Sequence, residues 1–371
     1  SVDSNALENS IYKITLDTKG DIVSLFDKKN GKELVKPGKS IRLALFTQNK
    51  SYMWPAWEIL KETIDREPVS ITEDVKMTLV EDGELRKSLC IEKRYGESLF
   101  KQYIRLYEGS RADRIDFYNE VDWQLSNALL KAEFPLNMAN TEATYDLGLG
   151  SVRRGNNTET AYEVYAQYWA DLTDRSGNYG VSVLNDSKYG WDKPDDHTLR
   201  LTCLHTPAGA FIKEARQDLM DLGRNRFGFG IYSHKGGWQT GTQTAAEAFS
   251  KPLVAFQTSA RKDGKLGSAF SAAALNTENA LLRAFKKSED GSGYIVRIGE
   301  AAGQAQKAVT FSVYRPIAGA TLCTADERPM QAVEIKNGQL TFDLKPFEVK
   351  TFLLTFEAEK LPREKFKKME L

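Results

Sequence analysis

The sequence predicts an all-β chain: a large antiparallel sandwich followed by a smaller one. Three observations predict it. Apolar and polar residues alternate with period two along most segments, Gly, Asn and Asp turn signals recur between them, and helical spacing is confined to two short windows. At 371 residues the chain has room for two domains.

The elements follow in order. Lys19-Gly20-Asp21 and Asn30-Gly31 mark turns near the start. Val75, Met77 and Leu79 share one face of a strand, with Lys76 and Thr78 on the other, and Glu81-Asp82-Gly83 turns the chain after it. Ile115, Phe117, Val121 and Trp123 alternate with Asp116, Tyr118, Glu120 and Asp122, the pattern of a half-buried antiparallel strand. A short helix is expected over Ile212–Leu222, stopped by Gly223, and a second over Thr242–Phe249. Lys251-Pro252-Leu253 marks a boundary, so the expected division is 1–252 for the large sandwich, 253–358 for the small one and 359–371 for a charged tail. In the second part, strands are expected over Tyr294–Ile298 and Val309–Val313. Asn337-Gly338, between Val333 and Ile335 on one side and Leu340, Phe342 and Leu344 on the other, makes a hairpin, because Asn-Gly suits the positive φ angles of a tight turn. The words Lys13 and Asp27-Lys28-Lys29 read as a solvated hairpin end, and the tail residues Lys365, Lys367 and Lys368 as a solvated face.

Composition narrows the function. Lys plus Arg and Asp plus Glu are equal at 51 each, which argues against nucleic acid or an anionic membrane as partner. No apolar run reaches the roughly 18 residues of a membrane span. The expectation is a soluble protein of the cytoplasm or periplasm. The start Ser1-Val2-Asp3, without an initiator Met or a signal peptide, reads as an excised piece of a longer protein. Cys90, Cys203 and Cys323 are far apart and odd in number, so they read as small buried hydrophobes. His197, His205 and His234 show no metal-ligand spacing, and no metal site is expected within the chain.

The stretch from Tyr145 to Trp191 carries the most chemistry. It holds Arg153-Arg154-Gly155-Asn156-Asn157, then Gln167-Tyr168-Trp169-Ala170-Asp171, then Asn185-Asp186-Ser187-Lys188-Tyr189-Gly190-Trp191. Aromatics, Arg and Asp fall where short apolar runs end. Such clusters suit sugar recognition, since aromatic faces stack on pyranose rings and charged groups bind hydroxyls. The alternative is that the Trp and Tyr side chains fill a large core.

The order of words along the chain resembles one family. Leu7-Glu8-Asn9, Ser24-Leu25-Phe26-Asp27, Trp54-Pro55-Ala56-Trp57-Glu58, Lys131-Ala132-Glu133-Phe134-Pro135 and Lys345-Pro346-Phe347-Glu348 resemble the C-terminal β region of the family 38 glycoside hydrolases, the zinc-dependent α-mannosidases. The resemblance, nearer to the bacterial and cytosolic/vacuolar branch, runs from Leu7 to Phe356. It implies a galactose-mutarotase-like supersandwich, then a small β-sandwich. It also implies retaining hydrolysis of α-mannosides by a carboxylate nucleophile and a second carboxylic acid, with zinc held by His and Asp residues of an N-terminal barrel. The words for that barrel and for the later His-His-Asp ligand are missing here. The resemblance therefore implies no catalytic residue and no zinc ligand in this chain, with the barrel as its partner.

Three places are candidates for sugar contacts. Tyr52 and Trp54 lie in a word where relatives carry Trp-Asp-Ala-Trp-Asp, so Pro55 and Glu58 depart from it; the two aromatics either line a mannose pocket or sit at a domain interface. Arg154 is followed by Gly155-Asn156-Asn157 where relatives show Arg-Pro and Thr-His; it clamps a hydroxyl or the barrel, or forms a surface ion pair. His205 stands where relatives have an Arg in Leu-Arg-Ser-Pro, with Asp221-Leu222-Gly223 beyond it and Asn225 replacing a His; His205 is a sugar contact or a polar loop residue. Two other readings stay open: a freestanding carbohydrate-binding β protein using the Trp patch, and a mutarotase-like epimerase, for which His205 or His234 with Asp221 is the acid-base set.

Overall fold

The computed structural model describes residues 5–55, 57–209, 220–259, 262–263 and 269–357. The chain divides into two compact units, Ser1–Val254 and Ala255–Leu371. The helix expected over Ile212–Leu222 and the charged tail fall, wholly or for the most part, outside the described residues.

The first unit is a two-sheet antiparallel sandwich. Its nine-stranded sheet runs, edge to edge, through Ser151–Gly155, Glu142–Asp146, Trp169–Thr173, Tyr179–Asn185, Gly223–Lys235, Arg114–Trp123, Ser98–Tyr107, Arg86–Tyr95 and Glu73–Asp82. The facing six-stranded sheet runs through Val164–Tyr165, Gly190–Asp192, Thr198–Thr206, Ala128–Pro135, Arg42–Thr47 and Val69–Ser70. Alternation decides which side chains meet between them. Leu130, Ala132 and Phe134 from one sheet join Ile115, Phe117, Val183, Phe229 and Ile231 from the other in one core. Phe229 stacks on Phe117 at 4.9 Å and meets Phe134 edge-on at 5.5 Å, which ties the two sheets together. The expected faces hold on Glu73–Asp82, where Met77 and Leu79 pack on the core and Lys76 and Thr78 face water.

A four-stranded sheet of Ala6–Glu8, Tyr12–Leu16, Ile22–Asp27 and Lys32–Glu33 adds Tyr12, Ile14 and Leu25 to that core. Gly20 and Gly31 turn between its strands at φ +72° and +63°, as the turn words predicted. Asp27 corrects the sequence reading. It is not solvated but fully buried, and it accepts hydrogen bonds from Tyr179 Oη at 2.7 Å, Ser233 Oγ at 2.8 Å, and Asn30 N and Nδ2 at 3.0 and 2.7 Å. Burial alone would raise its pKa; these donors outweigh burial and hold the carboxyl below its usual value. A pillar of this kind needs Tyr179 and Ser233, which are remote in sequence, so local polarity could not announce it.

Strand Arg114–Trp123 differs from expectation on its second face. Asp116 is fully buried and paired with Arg114, and the helix Thr242–Ser250, which matches the second expected window, packs on that arginine. Arg114 grips Asp116 through two hydrogen bonds of 2.6 and 3.0 Å and lies 5.2 Å from the ring centre of Phe249. The helix can come this close because the neighbouring strand carries Gly228 and Gly230; a Cβ on Gly228 would stand 3.2 Å from Phe249 Cζ.

The second unit is a smaller sandwich. One sheet holds Ala273–Leu275, Gln306–Val313, Gln339–Leu344 and Ile335–Lys336; the other holds Ala280–Lys287, Tyr294–Glu300, Val349–Phe356, Ile317–Cys323 and Pro329–Val333. Val296, Ile298, Phe311, Leu340, Phe352 and Leu354 are its core. The predicted hairpin forms, with Asn337 at φ +53° and Gly338 at φ +71°. Cys90, Cys203 and Cys323 are free and buried, as read.

Candidate functional site

The segment Ser51–Glu58 is held by one carboxylate. Glu58 Oε1 accepts hydrogen bonds from Ser51 Oγ at 2.5 Å, Met53 N at 2.8 Å and Trp54 N at 3.1 Å. Trp57 N and Glu58 N donate back to Trp54 O at 2.8 and 3.0 Å, which closes the turn. Burial pushes the Glu58 carboxyl up, but these donors win and hold it below its ordinary value, so it stays an anion and keeps accepting. The turn presents aromatics to water. Trp54 and Trp57 are 54% and 80% exposed and stack on each other at 5.6 Å. Tyr52 is exposed too, and the Glu62 carboxylate beside it raises its pKa.

The end of strand Thr198–Thr206 is adjacent. Lys50–Ser51 pairs in parallel with Ala208–Gly209, just beyond His205. His205 N donates to Asp221 Oδ2 at 2.8 Å. That bond uses the backbone, so His205 and Asp221 do not form the imidazole–carboxylate pair an epimerase needs. Nε2 of His205 is buried without a partner among the described residues, and burial pulls the ring pKa down to about 4. His205 is thus a neutral, largely covered ring. His234, the other ring considered, pairs instead with Asp171 at 2.8 Å under the helix Thr242–Ser250.

Arg154 belongs to the other sheet. Its Nη1 donates to Tyr165 O at 2.7 Å, its guanidinium lies 5.2 Å from the centre of the Tyr145 ring, and burial lowers its pKa. It makes no ion pair among the described residues. The structure therefore brings Tyr52, Trp54, His205 and Asp221 to neighbouring strand ends and leaves Arg154 on the edge strand Ser151–Gly155. The altered residues after it have a local job. Asn157 Oδ1 accepts from Lys193 N at 2.9 Å while its Nδ2 donates to Asp192 at 3.0 Å, and Asn156 Oδ1 accepts from Lys193 Nζ at 2.5 Å. Burial lowers the Lys193 amine to about 8.

Sequence reasoning passed over a charged network on the outer face of the six-stranded sheet. Lys131 Nζ, fully buried, donates to Glu163 at 2.5 Å and Asp192 at 2.8 Å. Arg200 donates to Asp192 through Nε at 2.9 Å and Nη2 at 2.5 Å, and also to Ile64 O at 3.1 Å. Thr202 Oγ1 donates to Glu163 at 2.5 Å. Desolvation drives the Asp192 pKa up, but Lys131 and Arg200 outweigh it and keep the carboxylate charged. A signal was present: Lys131 interrupts the apolar run Ala128-Leu129-Leu130, and Arg200 stands between Leu199 and Leu201. A lone charge inside a strand word predicts a buried partner.

Zinc does not fit the described residues. No three His, Cys, Asp or Glu side chains among them are grouped to hold a metal, and His197 Nδ1 is spent on Met138 O at 2.7 Å.

Known proteins place the chain. The Glycosyl hydrolases family 38 C-terminal domain matches residues 7–209, and the family 38 C-terminal beta sandwich domain matches residues 279–352. Alpha-mannosidase 2C1 of Homo sapiens is 26% identical over 363 residues, covering 95% of this chain and 34% of that protein. Alpha-mannosidase G of Dictyostelium discoideum is 26% identical over 366 residues, covering 93% of this chain and 32% of that protein. The crystal structure of an alpha-mannosidase from Enterococcus faecalis V583 superposes with a TM-score of 0.78 at 18% identity, over 95% of this chain and 42% of that one. The chain spans about a third of the length of the curated relatives it matches.

Proposed function

Given that the chain belongs to glycosyl hydrolase family 38, matched from residue 7 to 209 and again from 279 to 352, we propose that it is the non-catalytic β region of a retaining, zinc-dependent α-mannosidase. In this reading 1–252 form the supersandwich domain and 253–358 the small sandwich. The N-terminal barrel of the same protein is the partner and supplies the nucleophile, the acid and every zinc ligand. Residues of this chain bind and orient; they move no proton in the reaction.

One observation carries the reading beyond family membership: two stacked, water-exposed tryptophans on a turn that a single buried-edge carboxylate fixes. Exposed apolar surface of this kind marks a face that another surface covers. Tyr52 and Trp54 line the sugar pocket at that junction. His205 and Asp221 shape the adjoining strand end, and Arg154 holds the more distant sheet edge against the barrel. The neutral state of His205 makes it a weaker hydroxyl clamp than the Arg of its relatives.

The test is hydrolysis of an aryl α-mannoside by this chain alone and by the protein with its barrel, each with and without zinc. The expected result is turnover by the barrel-bearing protein only. Zinc-dependent turnover by this chain alone overturns the reading. Tight binding of free mannose by this chain without any barrel favours a freestanding carbohydrate-binding protein instead.

A further inference from the structure

The outer face of the six-stranded sheet carries a cleft of about 450 Å³ whose free groups, apart from the largely exposed Glu67, are donors. Its carboxylates are committed. Glu133 accepts from Arg42 Nε at 3.0 Å, Asp65 pairs with Lys61 at 2.5 Å, and Asp195 accepts the backbone N–H groups of His197 and Thr198 at 2.7 and 2.9 Å. Lys39 and Arg66 in the same lining have no anionic partner among the described residues, and Arg200, though paired with Asp192, keeps one nitrogen free. Lys39 Nζ has no partner among the described residues, and Arg66 Nη1 meets only neutral oxygens of Gln48, at 2.7 and 3.4 Å. Arg200 is only 3% exposed. Its Nε and Nη2 are spent on Asp192 and Ile64 O, whereas Nη1 has no partner among the described residues. The buried network behind the cleft fixes this guanidinium, so its free edge is already oriented for a ligand.

Every hydroxyl of a neutral sugar carries a proton to donate, and this lining has no uncommitted carboxylate apart from the largely exposed Glu67 to receive hydroxyl protons. The complementary ligand only accepts hydrogen bonds and carries negative charge. We propose that the cleft binds a small phosphate oxyanion, held by Arg200, Lys39 and Arg66, either as free phosphate or as the phosphate of a sugar monoester. This site is separate in kind from the aromatic turn and does not depend on the mannosidase reading, because its test needs no turnover.

The experiment is calorimetric titration of the whole protein with inorganic phosphate, a hexose 6-phosphate and the neutral hexose, against chloride at matched ionic strength. Phosphate is expected to bind, more weakly as salt rises. The double variant Lys39→Glu with Arg66→Glu, at positions that hold no carboxylate of the fold, is expected to bind tenfold or more weakly. Lys76→Glu, exposed on the edge strand of the other sheet, changes charge in the same direction and is expected to leave binding unchanged. Arg200→Lys, which keeps Asp192 paired but loses the free guanidinium edge, is expected to weaken binding severalfold. Equal affinity for both phosphates assigns the site to free phosphate; tighter binding of the hexose 6-phosphate assigns it to the ester. No phosphate signal above chloride, binding unaffected by the double variant, or equal binding of the neutral hexose overturns the proposal.

Discussion

Two parts of the large unit use the same device to opposite ends. On the outer face of the six-stranded sheet, Asp192 gathers Lys131, Arg200 and Asn157 around a fully buried carboxylate. In the turn Ser51–Glu58, one carboxylate gathers a hydroxyl and two backbone N–H groups, and the aromatics it positions stay in water. The first arrangement is buried apart from the Arg200 edge that meets the cleft, so its charges must satisfy one another, and it fixes the sheet. The second is open, and what it fixes is a surface. Buried charge therefore reads as architecture here, and exposed aromatic area as a place for something else.

The largest effect that tests this contrast is Asp192→Ala. It leaves the buried Arg200 without its carboxylate and Lys131 with Glu163 alone, and loss of about 3–5 kcal/mol of stability is expected in urea unfolding. An unchanged midpoint breaks the contrast, because the network would then be ornamental.

His205 gives the next effect. Its ring pKa is about 4 in the fold against 6.5 unfolded. The neutral form is favoured by folding, so the unfolded chain takes up a proton first as pH falls. Stability is full above about 6.5 and declines between there and about 4, by roughly 3 kcal/mol over the whole window. Comparing unfolding of the protein and His205→Asn between pH 7 and pH 4.5 isolates this component. Parallel curves for the two proteins show that the ring titrates freely.

Glu58→Ala removes the acceptor that holds the turn. A loss of about 1 kcal/mol is expected, with faster proteolysis after Tyr52 or Trp54 as the sharper readout. Resistance to protease equal to that of the unchanged protein means the tryptophan stack holds the turn unaided.

Trp57→Ala is the smallest change in stability, within about 0.5 kcal/mol, since the side chain is mostly in water. Its effect is expected in function: a raised KM for an aryl α-mannoside in the barrel-bearing protein. Full activity with unchanged barrel association removes the aromatic turn from the proposed interface.

Much of this architecture was legible in the sequence. The alternation of Met77 and Leu79 against Lys76 and Thr78, the turn glycines Gly20 and Gly31, the Asn337-Gly338 hairpin and the helix Thr242–Ser250 are local features, and local chemistry specifies them. The ordered words along the chain likewise led to the family. What the sequence could not decide was the fate of each outward face. Period two tells which side chains share a side, not whether that side meets water. Of the six tryptophans, Trp123, Trp169, Trp191 and Trp238 are buried while Trp54 and Trp57 are exposed. Asp27 and Asp116 look like surface carboxylates and are interior ones. In each case a group from far along the chain takes part: Tyr179 and Ser233 on Asp27, the Thr242–Ser250 helix on the Arg114 that pairs with Asp116, Asn157 on Asp192. Local sequence sets a strand and its two faces. Only the packing of distant segments removes water from one of them, and that removal decides which charges become structural and which surfaces remain free to bind.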